Sequence, residues 1–274
     1  MTSKSLPAMP YAVIDAFVEN RPYSGNPAAV CPLVGFLSDK DLQAMAAEHN
    51  LSETAFFVPE GDTNYHLRWF TPTVEVDLCG HATLAAAHYL FEHVGIPDDC
   101  INFTTRSGLL NVQRNESLLW MDFPQWPVEP VDIESTWHIH FGPVRAALRN
   151  TANYLILEAE SSKEVLSYQP NPTFLGSIEA FGIVLTAPSS DPETDFVSRF
   201  FAPRAGILED PVTGSAHCSL FPYWSKRLGK HTLSARQVSA RGGRLKGKVT
   251  EKRVLLGGRC RTYATGTILP QKRR

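Results

Sequence analysis

Apolar and polar positions along the chain alternate with two periods, and the switching between them outlines a mixed α/β protein. Alternating or continuous short apolar runs predict strands at Tyr11 to Val18, Ala28 to Pro32, Ala55 to Val58, Ile101 to Thr105, Leu109 to Gln113 and Leu118 to Phe123. Further on, Tyr154 to Glu158, Gly182 to Ala187, Lys248 to Leu256 and Tyr263 to Leu269 read the same way. Helical spacing fits Asp39 to Glu48, and the nearly all-apolar stretch Ala82 to Glu92 predicts a helix buried on every side. His138 and His140 alternate around Trp137 in strand fashion. The proline-rich stretch Phe123 to Pro130 separates two halves, residues 1–125 and 126–274, with the last strand free to pack against the first half.

Two distant segments follow one plan, HLRWFTPTVEVDLCGHATLAAAHYL and VSRFFAPRAGILEDPVTGSAHCSLFPYW. Each opens on an arginine and an aromatic pair, Arg68-Trp69-Phe70 and Arg199-Phe200-Phe201, with a proline one residue later, Pro72 or Pro203. An acidic residue follows, with Asp77 set against Asp210, and then Gly80-His81 or Gly214-Ser215 at the head of an apolar stretch. The second copy carries three more residues between proline and glycine, an insertion that belongs in a loop. A repeat of this kind predicts two pseudo-symmetric halves, each with a buried helix wrapped by strands, and places the repeated loops in a cleft between them.

Composition narrows the function. The chain has 274 residues, 43% hydrophobic and 20% charged, with 26 Lys and Arg against 28 Asp and Glu. So weak a net field offers no general attraction to nucleic acid or anionic membrane, and the basic stretches Arg236 to Lys248 and Lys272 to Arg274 read as solvated surface. No apolar run reaches the ~18 residues of a membrane span, and Met1 to Pro10 has no signal-peptide core. Five scattered cysteines without a C-x-x-C pair fit a reducing, cytoplasmic setting. No carboxylate and histidine set has a ligand spacing, so no metal is expected. His217 with Ser215 lacks the G-x-S-x-G surroundings of a hydrolase nucleophile, and the glycine pairs Gly242-Gly243 and Gly257-Gly258 make no phosphate-binding loop.

The chemistry concentrates at the two glycines. A helix start presents backbone N–H groups without intrahelical partners and a positive dipole end, a natural seat for a carboxylate or a developing enolate. Glycine there lets a ligand approach the backbone. Asn50-Leu51-Ser52-Glu53-Thr54 follows a helical stretch and opens an apolar strand, placing Glu53 at the edge of a dry region. Desolvation in such a place favours the protonated form of a carboxyl, which suits a group that must take and return protons.

The stretches DAFVENRPYSGNPAAVC, NLSETAFF, DLCGHATLAAAHYL and EDPVTGSAHCSL, spread in order over most of the chain, resemble the phenazine biosynthesis PhzF-like family. That resemblance implies a diaminopimelate epimerase-like α/β (α+β) fold, two domains each with a curled, mostly antiparallel sheet around a central helix. It implies an isomerase that shifts a proton between carbons of a small carboxylate-bearing substrate without a cofactor. Glu53 takes the place of the acid/base residue, and His81, Asp210 and Ser215 those that orient substrate and relay protons. Gly80, Gly214 and Ser52 fall at the positions around the substrate carboxylate. Epimerases of this fold carry a cysteine before the glycine in both halves; here Cys79 stands in one and Thr213 in the other, which disfavours two-thiol racemisation. Cys79 keeps two readings, a reactive thiol at a helix start or a buried inert one. A homodimer is compatible with the resemblance, although the residues carry no interface signal. The rival reading from another class is a catalytically silent binding or scaffold protein that keeps the family's cleft.

Overall fold

A computed structural model describes residues 8–269; the start of the Met1 to Pro10 stretch and the Lys272 to Arg274 run of the sequence reading lie outside them. The chain divides into two compact units. Of the described residues, the first comprises 8–16, Pro27–Met121 and 259–269, and the second Phe17–Asn26 with Asp122–Gly258.

In the first unit the sheet begins with Cys260–Ile268 antiparallel to Met9–Ala16, which in turn pairs with Asn26–Pro32. It continues parallel to Glu53–Pro59, antiparallel to Asn64–Phe70 and parallel to Cys100–Thr105. Gly108–Asn115 and Leu118–Pro124 follow as antiparallel neighbours. A two-residue strand, Glu75–Val76, rides on Asn64–Phe70. Helix α1, Asp39–His49, starts where the Ser38 side chain accepts the Asp41 N–H and stops where Asn50 turns left-handed at φ 49°. Its Leu42 and Ala46 pack with Met9, Cys31, Leu33, Phe56 and Phe70. Helix α2, Gly80–Tyr89, buries every residue from His81 to Ala87 and packs against Met9–Ala16, Glu53–Pro59 and Cys260–Ile268. Its run of alanines allows that close approach, and a helix apolar all round is stable only when enclosed. The helical path then relaxes into a π turn at Leu90–Val94, ended by left-handed Gly95.

The second unit repeats this order. Val128–Pro130 is antiparallel to Val144–Asn150, then comes antiparallel Tyr154–Ala159, parallel Gly182–Pro188 and antiparallel Phe196–Ala202. Parallel Thr232–Gln237 and two antiparallel strands, Gly243–Val249 and Arg253–Gly258, complete it. Ile207–Asp210 rides on Phe196–Ala202 as Glu75–Val76 does in the first unit. In each sequence repeat the strand that follows the eighth leaves its own unit: Val128–Pro130 belongs to the second unit and Cys260–Ile268 to the first.

Three short helices, α3 (Ser135–Phe141), α4 (Ser162–Ser167) and α5 (Pro172–Ser177), flank a core containing Trp137, Phe141, Val165, Leu175, Leu185 and Phe201. Helix α6, Gly214–Leu228, is the second central helix. Pro222 inside it cannot donate to the Cys218 carbonyl, and the Trp126 N–H takes that acceptor at 3.1 Å.

Two sequence expectations change. His138 and His140 lie on α3, not a strand, with His140 stacked on Phe174 at 3.6 Å and the His138 Nδ1 accepting the Val144 N–H. The two-residue alternation there was too short to separate the periods. Lys248 to Leu256 is not one strand but the turn of a hairpin, where Thr250 and Arg253 close the loop by mutual backbone and side-chain hydrogen bonds.

Candidate active site

The repeated arginines fix the short strands that lead into the two central helices. Arg68 holds Glu75 through Nε and Nη2, both at 2.7 Å, and Arg199 holds Glu209 through the same pair of nitrogens at 2.7 and 2.9 Å. Glu75 and Glu209 each lie five residues before the helix glycine, and strand register confirms the match, with Trp69 opposite Val76 and Phe200 opposite Asp210. The acidic counterparts of the repeat are therefore Glu75 and Glu209. Asp77, set against Asp210 in the sequence reading, is instead an exposed partner of Arg106, and the true counterpart of Asp210 is Val76.

In the first unit α1 is capped by Asn50 and three residues later Glu53 begins its strand, beside buried Thr54, whose hydroxyl meets the His49 ring at 3.1 Å. Glu53 is mostly covered, and its Oε2 lies 3.1 Å from Nε2 of His81, the second residue of α2. On its other side the His81 ring places Nδ1 3.5 Å from the Cys79 sulfur. Burial by itself would lower the affinity of the His81 ring for a proton; the Cys79 sulfur and the Glu53 carboxylate outweigh it and raise the ring well above the ordinary histidine range. The Cys79 thiol is pushed up by burial and by Glu53, with partial relief from His81. Protonation of the imidazole is favoured by both neighbours. Burial and Glu53 thus work against ionisation of Cys79, while His81 and the Ala82 N–H at the helix start favour it. One donor atom from each of Glu53, Cys79 and His81 lies within 4.8 Å of the others, a cluster of a kind that can hold a metal ion. Sequence spacing could not reveal it, because 28 residues separate Glu53 from His81.

Both helix starts are left uncovered by their own side chains. Cys79 precedes α2 at φ −145°, ψ 107°, and Thr213 precedes α6 at φ −111°, ψ 96°; neither caps its helix, and neither first turn contains an acid. Gly80 and Gly214 open these turns, with Ser52 just ahead of Glu53 in the chain and Ser215 second in α6.

In the second unit Asp210 accepts from the Asn26 amide at 2.9 Å and from the Thr213 hydroxyl. Asn26 also donates to the Val212 carbonyl at 2.9 Å, while Gln237 accepts the Thr213 N–H at 2.9 Å and donates to the Asp210 carbonyl at 2.8 Å. Thr213 is thus committed to holding Asp210. Ser215 Oγ is 3.1 Å from the hydroxyl of Tyr154, whose acidity burial suppresses. His217 does not pair with Ser215: buried, it bonds the Thr213 carbonyl at 2.7 Å through Nδ1, faces Ser198 at 3.4 Å, and is pushed down to about 4 by burial. Asn26, Gln237 and Tyr154 were not singled out from the sequence. Asn26 sits in the S-G-N-P stretch and is visible there; Tyr154 reads as an ordinary strand residue, and Gln237 falls in the basic stretch Arg236 to Lys248, read as solvated surface.

Taken together, these features define a duplicated α/β protein with an acid/base cluster at the uncovered start of one central helix and a carboxylate network at the start of the other. Residues 14–266 match the family described as phenazine biosynthesis-like protein, PhzC-PhzF, and the chain belongs to that family. It is 47% identical over 255 residues to an uncharacterized isomerase of Pseudomonas aeruginosa, covering 93% of this chain and 96% of that one. The crystal structure of a phenazine biosynthesis protein of the PhzF family from Enterococcus faecalis superposes with a TM-score of 0.91 at 41% identity, over 96% and 99% of the two chains. A hydroxyproline epimerase from Agrobacterium vitis, 10% identical and covering 98% and 94%, shares the fold alone with a TM-score of 0.65. The fold is thus that of the PhzF and epimerase-like proteins. Among the described residues no helix is long and apolar enough to cross a membrane.

Proposed function

We propose that this protein is a cofactor-independent isomerase that moves a proton between carbons of a small, carboxylate-bearing substrate, with Glu53 as the acid/base residue. The observation that carries the reading is the 3.1 Å pair of Glu53 and His81 at the uncovered start of α2. A carboxylate beside an imidazolium can accept a proton from an activated C–H and later return it, a contribution of about 10²–10⁴-fold for general acid/base catalysis. The cation beside it makes His81 the group that steers and resupplies the proton, through the ring it shares with Cys79. The N–H groups of the first turn, opened by Gly80, suit a substrate carboxylate or the enolate that forms when the C–H is broken. Ser52 is assigned to the same anion. Gly214 and Ser215 offer donors of the same kind at the start of α6, and Asp210, oriented by Asn26 and Thr213, is assigned to orienting substrate.

The name of the Pseudomonas aeruginosa relative, an isomerase, supports the reaction class. Two-thiol racemisation finds no support, since the second cap is Thr213, whose hydroxyl donates to Asp210. The test is a panel of amino-acid-like and cyclic carboxylic acids incubated with the protein in D2O and followed by NMR. The proposal expects one class of acid to gain deuterium at carbon and to isomerise. A panel that stays unlabelled while the protein captures a macromolecular partner would favour the scaffold reading.

A further inference from the structure

We propose that the cluster of Glu53, Cys79 and His81 is also a zinc-binding site, so that zinc and substrate chemistry compete for one place in the fold. Binding itself does not depend on the isomerase reading; only its inhibitory consequence does.

The donors have the composition zinc prefers, one carboxylate oxygen, one imidazole nitrogen and one sulfur, and all three lie within 4.8 Å of one another. Around a tetrahedral zinc with bonds of about 2.0–2.3 Å, neighbouring donors stand roughly 3.3–3.8 Å apart. The sulfur lies 3.5 Å from Nδ1 and the Glu53 oxygen 3.1 Å from Nε2, one donor beside each nitrogen of the ring. One imidazole gives one nitrogen, so the donor beside the other nitrogen must swing round the ring to reach the ion, by rotation of the Glu53 or Cys79 side chain to another staggered rotamer. A sulfur and nitrogen pair excludes magnesium and calcium, which take oxygen donors. Charge favours the ion as well: a thiolate and a carboxylate in a buried place carry two negative charges, and zinc cancels both. The burial that disfavours the free Cys79 thiolate no longer opposes it once the ion is bound. Coordination displaces the thiol proton and the imidazolium proton to solvent. Three protein donors leave a fourth position for water, the pattern of an open zinc site. With Glu53 and His81 bound to metal, neither can carry a proton, and isomerisation stops.

Cobalt(II), which reports thiolate coordination by colour, is the probe. Titrated into the full chain, it is expected to bind in one equivalent with a tetrahedral visible spectrum and a thiolate-to-cobalt charge-transfer band, both erased by zinc. Cys79→Ser should abolish the band and weaken zinc by at least about tenfold, while Cys100→Ser and Cys260→Ser leave both unchanged. Glu53→Gln should keep the band and loosen the metal, which preserves the test if the cysteine variant fails to fold. A charge-transfer band that survives in Cys79→Ser, or zinc affinity indifferent to both Cys79→Ser and Glu53→Gln, overturns the proposal. No turnover enters these readings, so a failed metal titration leaves the isomerase reading intact, and an inactive protein leaves a positive titration intact.

Discussion

Replacing Arg199 with methionine should destabilise this protein far more than the same change at Arg68, although the two occupy one position of the repeat. Arg199 is 9% exposed; besides Glu209 it satisfies the backbone carbonyls of Tyr168 at 2.6 Å and Val165 at 3.3 Å, and it lies over the ring of Phe201. Methionine fills much of the space but leaves Glu209, 18% exposed, with its two charged hydrogen bonds broken, and leaves the carbonyls unanswered. Removing one partner of such a pair costs about 3–5 kcal/mol. Arg68 also holds its glutamate twice, but Glu75 retains Arg106 at 2.7 Å, and the other partner of Arg68, Asp39, is exposed. The loss there is about 1–2 kcal/mol, the range of a hydrogen bond to a charge discounted for solvent. With a urea slope of about 3 kcal/mol/M, the midpoint should fall by roughly 1–1.7 M for Arg199→Met and by about 0.3–0.7 M for Arg68→Met. Equal shifts, or a larger one at Arg68, would refute the claim that surviving partners decide the cost.

Asn26→Ala removes the amide that joins Asp210 to the Val212 carbonyl, and should cost about 1–3 kcal/mol in a urea titration. Gly247→Ala places a methyl group inside the Phe221 ring and should cost about 1–3 kcal/mol through overpacking; Gly247→Ala combined with Phe221→Leu should recover part of it. His217 gives a pH signature. Its proton affinity is depressed in the folded state to about 4, against an ordinary value of 6.5, so the unfolded chain binds the extra proton first as pH falls. Its contribution is intact above pH 6.5 and is lost between there and pH 4, about 3 kcal/mol in all. Stability measured across that window should flatten in His217→Asn by that amount.

The parts of this architecture that were legible in the sequence are those written in short-range pattern. Arg68-Trp69-Phe70 and Arg199-Phe200-Phe201 with their following glycines announced the duplication, and the all-apolar stretch after Gly80 announced an enclosed helix. Glu53 stood out because a helix stop and a strand start fall within a few residues of it. The pairing of Glu53 with His81 was illegible, since it depends on a parallel sheet seating the first residue of one strand beside a distant helix start. The carboxylates of the repeat were misaligned at Asp77 for a related reason: only strand register distinguishes Glu75, bound to Arg68, from an exposed acid two residues later. Tyr154 gave no signal at all, because its hydroxyl gains meaning only where Ser215 ends up beside it. The short α3 was missed for want of length, seven residues holding too few repeats of either period.

The central claim is that the Glu53 carboxylate carries the proton in a reaction at carbon. Once a substrate is in hand, the direct measurement is the rate at which solvent deuterium enters its reacting carbon, compared between the unaltered protein and Glu53→Gln at matched folding. The amide cannot accept that proton, so exchange and isomerisation should fall together by about 10²–10⁴-fold while the substrate still binds. Exchange that continues at an undiminished rate in Glu53→Gln would contradict the account.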